Sequence, residues 1–474
     1  MPRAFDIAIV GGGVAGCYCA YRLSAARPRA RIGLFEATGR LGGRLETTFL
    51  PDVAIPAELG GAFVSSLHTR VLALAHDLDL GLTPVAWSRR FSFVRGKRLT
   101  DQTYRDEPDT VPYQLAPHQR GESPAEILRG AIGAIAPRLR ALWPERAAST
   151  ADPDAIDQYL RRLRVKQRLL DDWSFRTLLR EVIGDEALEC LATAFGSSSN
   201  FGEASAYNAI RTLLDEMTPQ RPFVFAAGNQ QFPTELARRS GAEIHLDNAL
   251  ACVRNVDGAL HLSFDSRAGE ESFTAKDLIL ALPPEAVACI DFGPQHAAAQ
   301  QALVAKVAPA SACKLFLSFE SAWWPAAPHS PSALGMAAWH TDQPIQQCYS
   351  HDGDNAAPAL LLALFADGEN AAFWAPHFGK GGAASAATIE TALTQLHAMH
   401  GDIPEPSGAV ARMWPAAWHV WRPGARSWRS APAIRGPHFG LPIYICGEAF
   451  SEQQGWIEGA LASAEALLRE KFLT

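Results

Sequence analysis

Short apolar runs at both ends of the chain and in its middle predict one mostly parallel sheet. The run Asp6–Val10 breaks into a glycine-rich segment that leads into a helix, and a second apolar run follows at 31–35. This order of strand, helix and strand is typical of a doubly wound sheet. Apolar runs further along predict strands at 243–246, 260–264, 277–282 and 443–446, with a closing helix from about 456 to 471.

The rest of the chain shows two other patterns. From about 115 to 217 apolar residues recur at helical spacing, which indicates an inserted helical region. From about 291 to 434, strand-like runs at 314–319 and 360–365 are mixed with a helix near 386–400. We therefore expect an α/β fold with three parts: a discontinuous doubly wound nucleotide-binding domain, a mixed α+β substrate domain and an inserted helical region. The nucleotide-binding domain is expected at 1–70, 218–290 and 435–474, and the substrate domain at 71–115 and 291–434. The helical region is expected at 116–217.

Composition narrows the class of protein. The 474 residues suffice for two or three domains, and 48% hydrophobic against 20% charged residues is typical of a soluble globular chain. The net charge of −7 and the pI near 6.1 argue against a nucleic acid or an anionic membrane as partner. No apolar run has membrane-spanning length and no secretory signal is visible, so we expect a cytoplasmic protein.

The eight cysteines have no paired spacing that indicates a disulfide framework or a metal site. Several of them lie inside apolar runs. We expect reduced core residues, and we predict no metal site.

The glycine-rich segment after the first strand has the spacing of a dinucleotide-binding turn. Gly11 permits the tight turn, Gly13 lets the backbone approach a pyrophosphate, and Gly16 lets the helix pack on the strand. Glu36 ends the next strand about twenty residues later, where a carboxylate binds a ribose hydroxyl. The pattern predicts a bound dinucleotide.

The segment Arg40-Leu-Gly-Gly-Arg44 favours FAD over a nicotinamide cofactor. It would place a second pair of bare glycines, including Gly43, and the cations Arg40 and Arg44 beside the same pyrophosphate. The nucleotide-binding domain is therefore predicted to be an FAD-binding domain.

Four elements stand in order along the chain: Glu36 with 40–44, the segment Glu58–Val64, Lys314 in its strand, and 444–448 followed by 455–459. Together they resemble the flavin-containing amine oxidase family, which includes monoamine oxidases and L-amino acid oxidases. The resemblance covers most of the chain and is weakest in the helical insertion. The C-terminal half is similar to the tryptophan oxidases of violacein synthesis.

The resemblance implies further cofactor contacts. Gly60, Gly61 and Ala62 would lie against the isoalloxazine ring, and Gly447 with Glu448 would contact the ribityl-phosphate part of FAD. The start of the closing helix, at Trp456 and Ile457, would stabilise negative charge on the pyrimidine edge of the reduced flavin. Leu250 matches a position whose backbone meets the adenine, although a core leucine fits that position nearly as well.

Lys314 stands in an otherwise apolar strand, and an unpartnered buried ammonium is costly. The resemblance implies that it holds a water against flavin N5 and assists the reaction with oxygen. The alternative is a lysine that extends to solvent from an edge strand.

Two tryptophans and a phenylalanine are the candidates for substrate contact. By resemblance Trp418 and Trp456 form an aromatic cage around the substrate nitrogen, which removes water from it and disfavours its ammonium form. A core position remains the alternative for Trp418. Phe63 is expected to contact the substrate as well.

Two departures from the family pattern affect the expected chemistry. Ala417 stands where animal monoamine oxidases attach FAD through a cysteine, so we expect noncovalent FAD. Phe63 stands where many L-amino acid oxidases carry an arginine for the substrate carboxylate. Arg89, Arg90 and Arg426 are the candidates for an anchor elsewhere.

The sequence thus predicts an oxidase that converts the C–N bond of an L-amino acid or derivative, bulky or aromatic, to an imine and reduces molecular oxygen to hydrogen peroxide. The first alternative is an oxidase of a carboxylate-free amine, which Phe63 favours. A flavin-dependent C–C desaturase and a noncatalytic flavoprotein are further alternatives. The sequence allows a homodimer but does not determine the oligomeric state.

Overall fold

The computed structural model describes residues 3–142, 152–218, 220–327, 332–352 and 358–473. Its strands are β1 (Arg3–Val10), β2 (Ile32–Phe35), β3 (Thr47–Thr48), β4 (Ala57–Glu58), β5 (Val64–Ser65), β6 (Leu82–Val94), β7 (Lys97–Leu99), β8 (Arg164–Val165), β9 (Arg168–Leu169), β10 (Pro222–Phe225), β11 (Glu243–His245), β12 (Asn248–Val256), β13 (Ala259–Ser266), β14 (Gly269–Leu280), β15 (Val307–Phe319), β16 (Leu334–Thr341), β17 (Gln347–His351), β18 (Ala359–Asp367), β19 (Gly408–Trp421) and β20 (Ile443–Ile445). Its helices are α1 (Val14–Ala26), α2 (Thr69–Asp77), α3 (Asp101–Asp106), α4 (Pro124–Ile135), α5 (Pro153–Arg162), α6 (Phe175–Ile183), α7 (Asp185–Phe195), α8 (Ala206–Met217), α9 (Gln231–Ser240), α10 (Pro284–Cys289), α11 (Ala297–Val304), α12 (Gly368–Trp374), α13 (Ala386–His400), α14 (Ser427–Ile434) and α15 (Ile457–Lys471).

The first sheet has the strand order β11-β2-β1-β14-β13-β12, and β20 pairs with β14. Strand β1 runs parallel to β2 and β14, and all four residues of β2 are buried, as expected for a strand covered on both faces. Helices α1 and α15 contribute to the same apolar cluster as β1. The predicted doubly wound α/β sheet, drawn from separate stretches of the chain, is confirmed.

The second sheet has the strand order β19-β15-β18-β17-β16-β6-β10-β5, with β7 paired to β6. Two of its short strands, β5 and β10, lie in segments that the sequence analysis assigned to the FAD-binding domain. Strand β10 pairs antiparallel with both β5 and β6, so hydrogen bonding joins these strands to the substrate sheet. The partner of a strand of two to four residues depends on tertiary contacts, which the apolar pattern does not contain.

The helical insertion is present as predicted, and α4 to α8 pack around a core that also includes Val94 of β6, Leu99 of β7 and Tyr104 of α3. Its helices begin at local signals: Ser123 and Glu126 form a capping box at α4, and the Ser205 side chain accepts a hydrogen bond from the Asn208 N–H at α8. The Ser205 N–H donates to the Trp421 carbonyl in β19, which joins the insertion to the second sheet. Helix α8 is thereby placed against the end of β19.

All eight cysteines are free thiols, and six of them are buried. In the part of the chain that the structure describes, no group of three or more His, Cys, Asp or Glu side chains could hold a metal ion. Nor does any helix among those residues have the length and apolar character to cross a membrane.

Candidate active site

The glycine-rich turn after β1 is closed too tightly for side chains. Gly11 has φ +110°, and a Cβ added there would lie 2.4 Å from the Ala281 carbonyl oxygen. A Cβ on Gly16 would lie 1.9 Å from the Gly11 carbonyl oxygen. Helix α1 can therefore approach the strand only because these residues are glycine.

Gly43, from the second pair of glycines, faces Gly13 of this turn, and the two backbones meet without a side chain between them. A Cβ on Gly13 would meet nothing nearer than the Gly43 Cα, at 3.8 Å, and no side chain caps the start of α1. The N–H groups of the first helical turn are therefore open to an anion. The Glu36 carboxylate accepts a hydrogen bond from the Gly12 N–H at 2.8 Å, beside the same turn. This cradle fits the dinucleotide part of FAD.

The two arginines of segment 40–44 have different contacts. Arg40 donates to the Gly43 carbonyl at 2.8 Å and pairs with Glu46 at 2.8 Å, so it braces its own loop. Arg44 reaches out of the loop and pairs with Glu448 at 2.7 Å. The sequence analysis expected both cations beside the pyrophosphate. Loop carbonyls and Glu46 accept hydrogen bonds from Arg40, and the contact of either arginine with the pyrophosphate stays a prediction.

Glu448 joins three parts of the site. It is buried and accepts hydrogen bonds from Arg44, from the Gly455 N–H at 2.7 Å and from the His419 N–H at 3.1 Å. Burial alone would raise its pKa, but the Arg44 guanidinium and His419 outweigh burial and lower the pKa to about 2. An ionised Glu448 therefore ties the 40–44 loop to β19 and to the start of α15.

Lys314 lies inside the second sheet and not at its edge, since β15 pairs with β18 on one side and β19 on the other. The side chain is buried, and Nζ donates to the carbonyl oxygens of Glu58 at 2.9 Å and Gly60 at 2.6 Å. These contacts exclude the alternative of a lysine extended to solvent. Burial lowers the pKa of Lys314, and its attraction to the Glu58 carboxylate opposes that shift.

Two residues that the sequence analysis missed hold the same turn. Trp414 Nε1 donates to the Leu59 carbonyl at 2.7 Å, and Asn229 Nδ2 donates to the Gly61 carbonyl at 2.7 Å. With Lys314, side chains thus satisfy every carbonyl of the turn 58–61. No local signal marks Trp414 or Asn229, because each meets the turn from far along the chain. Gly61 is exposed, and a Cβ there would lie 3.0 Å from Leu45 Cδ2. Its contact with a flat ring stays a prediction.

The predicted substrate residues line one cavity of about 400 Å³. Phe63, Trp418 and Trp456 all lie in its wall, and a Cβ on Gly455 would be 3.9 Å from the Trp418 ring. Most of the other large side chains in the wall are aromatic as well. They include Trp87, Phe195, Tyr349, Phe365 and Trp421. The aromatic slot expected from the sequence is present, although Trp87 and Tyr349 were not predicted.

Two carboxyl groups and one imidazole lie in this wall. Glu216 and Asp367 line the cavity, and none of the described lining residues is lysine or arginine. His419 also lines it, with Nε2 3.0 Å from Glu285 and Nδ1 3.3 Å from Glu448. Burial lowers the pKa of His419, but the hydrogen bonds to these carboxylates outweigh it and raise the pKa above its ordinary value. In its cationic form, His419 already has the carboxylates of Glu285 and Glu448 as partners.

The three arginines proposed as carboxylate anchors are engaged elsewhere. Arg426 pairs with the buried carboxylate of Asp171, and Arg89 pairs with Asp101. Arg90 donates to the carbonyl oxygens of residues 325 and 326. None of the three lines the cavity. The structure therefore offers no arginine of this set to a substrate carboxylate.

The remaining predicted cofactor residues lie at element ends or in a strand. Gly447 (φ +136°) follows β20, and Ile457 is the first residue of α15. Ala62 lies between the turn 58–61 and β5. Leu250 lies in β12 at a register shift of the first sheet and packs against its apolar cluster, so its contact with adenine stays a prediction.

Comparison with known proteins gives the family. The model of the family described as "Flavin containing amine oxidoreductase" matches residues 14–466. Aplysianin-A of Aplysia kurodai is 26% identical over 99% of this chain and 90% of that protein. An L-amino-acid oxidase of Mus musculus is 25% identical over 96% of this chain and 69% of that protein.

A solved structure shows the same fold. A double mutant of putrescine oxidase aligns with a TM-score of 0.69 at 21% identity, over 98% of this chain and 99% of that one. The resemblance inferred from the four sequence elements is confirmed, and so is FAD as the cofactor. The chain belongs to the flavin-containing amine oxidoreductase family, whose members are FAD-dependent enzymes that oxidise amines or amino acids.

Proposed function

We propose that the protein is an oxidase of a carboxylate-free amine. The amine loses two electrons and two protons at its C–N bond and becomes an imine, while molecular oxygen takes up both and becomes hydrogen peroxide. The observation that carries this choice is the cavity wall, whose described residues present aromatic rings and the carboxyl groups of Glu216 and Asp367 but no lysine or arginine. The His419 imidazole in this wall already faces Glu285 and Glu448. A substrate carboxylate here would therefore be desolvated without a free cationic partner, which is costly.

The chain's own residues supply orientation and a dry site. When bound, FAD supplies the two-electron acceptor and the route to oxygen. Trp418 and Trp456 cover the slot with large apolar surfaces, which excludes water and disfavours the ammonium form of the substrate nitrogen. Lys314 holds a positive charge beneath the turn 58–61, with two of its three N–H donors used by carbonyls.

FAD is proposed to be held without a covalent bond. Ala417 precedes Trp418, and no cysteine is among the described residues that line the cavity. Acid precipitation of the yellow protein should release the flavin into the supernatant. Flavin that remains in the pellet after denaturation would contradict noncovalent binding.

The second candidate is an L-amino acid oxidase, which was the leading expectation from the sequence. Its support is the similarity to proteins named L-amino-acid oxidase from Mus musculus and Siganus canaliculatus, at 25% and 24% identity. The cavity argues against it, since Phe63 and not arginine lines the wall and the three candidate arginines are paired elsewhere.

Matched substrates separate the two candidates. The protein is mixed anaerobically with 2-phenylethylamine or L-phenylalanine, and with tryptamine or L-tryptophan, and bleaching of the flavin absorption is recorded. Each pair differs only by the carboxylate. We expect the amines to bleach the flavin faster, and readmitted oxygen to yield hydrogen peroxide in a peroxidase-coupled assay. Bleaching by the L-amino acids alone would overturn the proposal in favour of the second candidate, and bleaching by none of a broad amine and amino acid set would overturn both.

A further inference from the structure

The second sheet places Gln347 at a distance from the aromatic cage. Trp418 lies in β19 and Gln347 in β17, and both line the cavity. Strands β15 and β18 lie between them, so three strand spacings, about 14 Å, separate β17 from β19. Gln347 therefore belongs to the wall that meets the far end of a substrate whose amine lies at Trp418 and Trp456.

The Gln347 amide is held in one orientation. Its Oε1 accepts a hydrogen bond from the Tyr349 hydroxyl, two residues further along the same strand. Burial raises the pKa of Tyr349, so the phenol keeps its proton and acts as the donor. Because Oε1 faces Tyr349, the other branch of the amide, Nε2, is turned away from it.

A glycine makes room for this side chain. Gly196 directly follows α7 and has φ +65°, and a Cβ added there would lie 2.7 Å from Gln347 Cγ. A larger residue at this position would have to displace Gln347. The place of the amide in the wall is thus set by the contacts on both sides of it.

Gln347 Nε2 is a donor without a protein partner. Among the residues that the structure describes, none accepts a hydrogen bond from it, whereas Tyr349 occupies Oε1. Gln347 is 5% exposed and lines the cavity, so the cavity is the space onto which this donor opens. A buried polar group without a partner is unfavourable and rare, which indicates that a ligand atom accepts from it.

The surroundings of Nε2 select a neutral acceptor. An N–H donor offers nothing to an ammonium group, which has only donors of its own. An anion would lie close to the buried carboxylate of Asp367, which binds the neighbouring Gln346 Nε2 at 2.9 Å. The described lining residues include no lysine or arginine to offset that repulsion. An uncharged oxygen atom, as in an ether or a hydroxyl, is the acceptor that fits.

The rings beside Gln347 favour an aromatic substrate. The Trp87 ring lies 5.0 Å from the rings of Phe63 and Tyr349, with its plane inclined to both, and all three residues line the cavity. Inclined rings of this kind offer faces and edges against which a further ring can pack. The oxygen that meets Gln347 is therefore best carried on an aromatic ring.

We propose that Gln347 is a specificity-determining residue whose Nε2 donates a hydrogen bond to an uncharged oxygen on the ring of an arylalkylamine substrate. Tyr349 positions the amide for this contact, and Gly196 leaves space for it. This inference rests on the proposed function and names the substrate class of the same site.

The test compares 2-(4-methoxyphenyl)ethylamine with 2-(4-ethylphenyl)ethylamine, which differ by an ether oxygen in place of a methylene group. We expect the wild-type protein to favour the methoxy compound in kcat/KM by about 3- to 10-fold, the range for one neutral hydrogen bond. Gln347→Met removes the donor and keeps the length of the side chain. The ratio should then fall to unity or below, because a methylene group leaves water more readily than an ether oxygen. The change should appear in the apparent Kd from anaerobic flavin bleaching and not in the limiting bleaching rate, since the contact is remote from the reacting bond.

Gln301→Met is the matched control, since Gln301 is an exposed glutamine of α11. It makes the same change of side chain and should leave the ratio as in the wild type. Tyr349→Phe keeps the Gln347 donor but no longer holds the amide in one orientation. It should lower the ratio less than Gln347→Met does, and it keeps the test open if that variant does not fold.

The outcomes separate this inference from the proposed function. Equal kcat/KM for the two compounds in the wild type, or a methoxy preference that persists in Gln347→Met, would overturn the role of Gln347 while leaving an amine oxidase. Absence of bleaching by every carboxylate-free amine would overturn the proposed function itself, and this inference with it.

Discussion

The cofactor side of the active site and the cavity beyond it are built by different means. On the cofactor side the contacts are made by backbone: Gly11 and Gly16 close the dinucleotide turn, and the carbonyls of turn 58–61 are held from behind by buried donors. In the cavity the contacts are made by side chains, with Trp418 on one wall and Asn208, Thr212 and Glu216 of α8 on another. Substitutions on the cofactor side should weaken FAD binding or lower stability. Substitutions in the cavity should change which amine is accepted.

Gly16→Ala should have the largest effect. Its Cβ would lie 1.9 Å from the Gly11 carbonyl oxygen, so the turn or the helix has to move. We expect a loss of soluble yellow protein, measured as flavin content per purified chain. Gly130→Ala is the control: the Cβ there meets nothing within 4 Å, and an alanine inside α4 should stabilise the protein by about 0.5–1 kcal/mol. A Gly16→Ala protein with full flavin content would show that the turn is not as tight as described.

Arg426→Met should destabilise the fold by about 3–5 kcal/mol, because it leaves the buried carboxylate of Asp171 without its cation. The measurement is the free energy of unfolding in urea. Arg267→Met removes an exposed pair with Asp247 and should cost less than about 1 kcal/mol. An Arg426→Met protein that has normal stability but has lost affinity for carboxylate-bearing substrates would show instead that Arg426 binds the substrate.

Lys314→Met should keep FAD bound and slow the reoxidation of reduced flavin by oxygen by about 100-fold, as for the loss of one electrostatic stabiliser. Stopped-flow mixing with oxygen measures this step. Burial lowers the pKa of Lys314, so the wild-type rate should fall as the pH rises through that lowered pKa, while the Met variant shows no such fall. An unchanged rate of reoxidation in the variant would show that Lys314 does not assist the reaction with oxygen.

Asn229→Ala should weaken the cofactor side by about 1–3 kcal/mol, since the Gly61 carbonyl loses the hydrogen bond from the fully buried Asn229 side chain. We expect a lower melting temperature and a higher Kd for FAD. The exposed Asn255 offers a matched Asn→Ala control with little expected effect. If Asn229→Ala binds FAD as the wild type does, the turn 58–61 does not need this donor.

The sequence analysis predicted the residues whose signal is local or belongs to the family. Gly11, Gly16 and Lys314 were identified, and the structure gives each a physical reason for its place. It missed Asn229 and Trp414, because each acts through a hydrogen bond to a turn that is remote in the chain. It did not foresee that Arg40 braces its own loop through the Gly43 carbonyl and Glu46.

The sequence by itself determined the doubly wound sheet and the dinucleotide turn, because strand periodicity and glycine spacing act within a few residues of the chain. The aromatic slot was expected only from the resemblance to a known family. Only the tertiary structure decided the charge of the cavity. It pairs Arg426 with Asp171, 255 positions away, and it brings Glu216 and Asp367 from distant parts of the chain into one cavity wall. Which cation remains available to a substrate depends on such long-range pairings, and no local pattern in the chain records them.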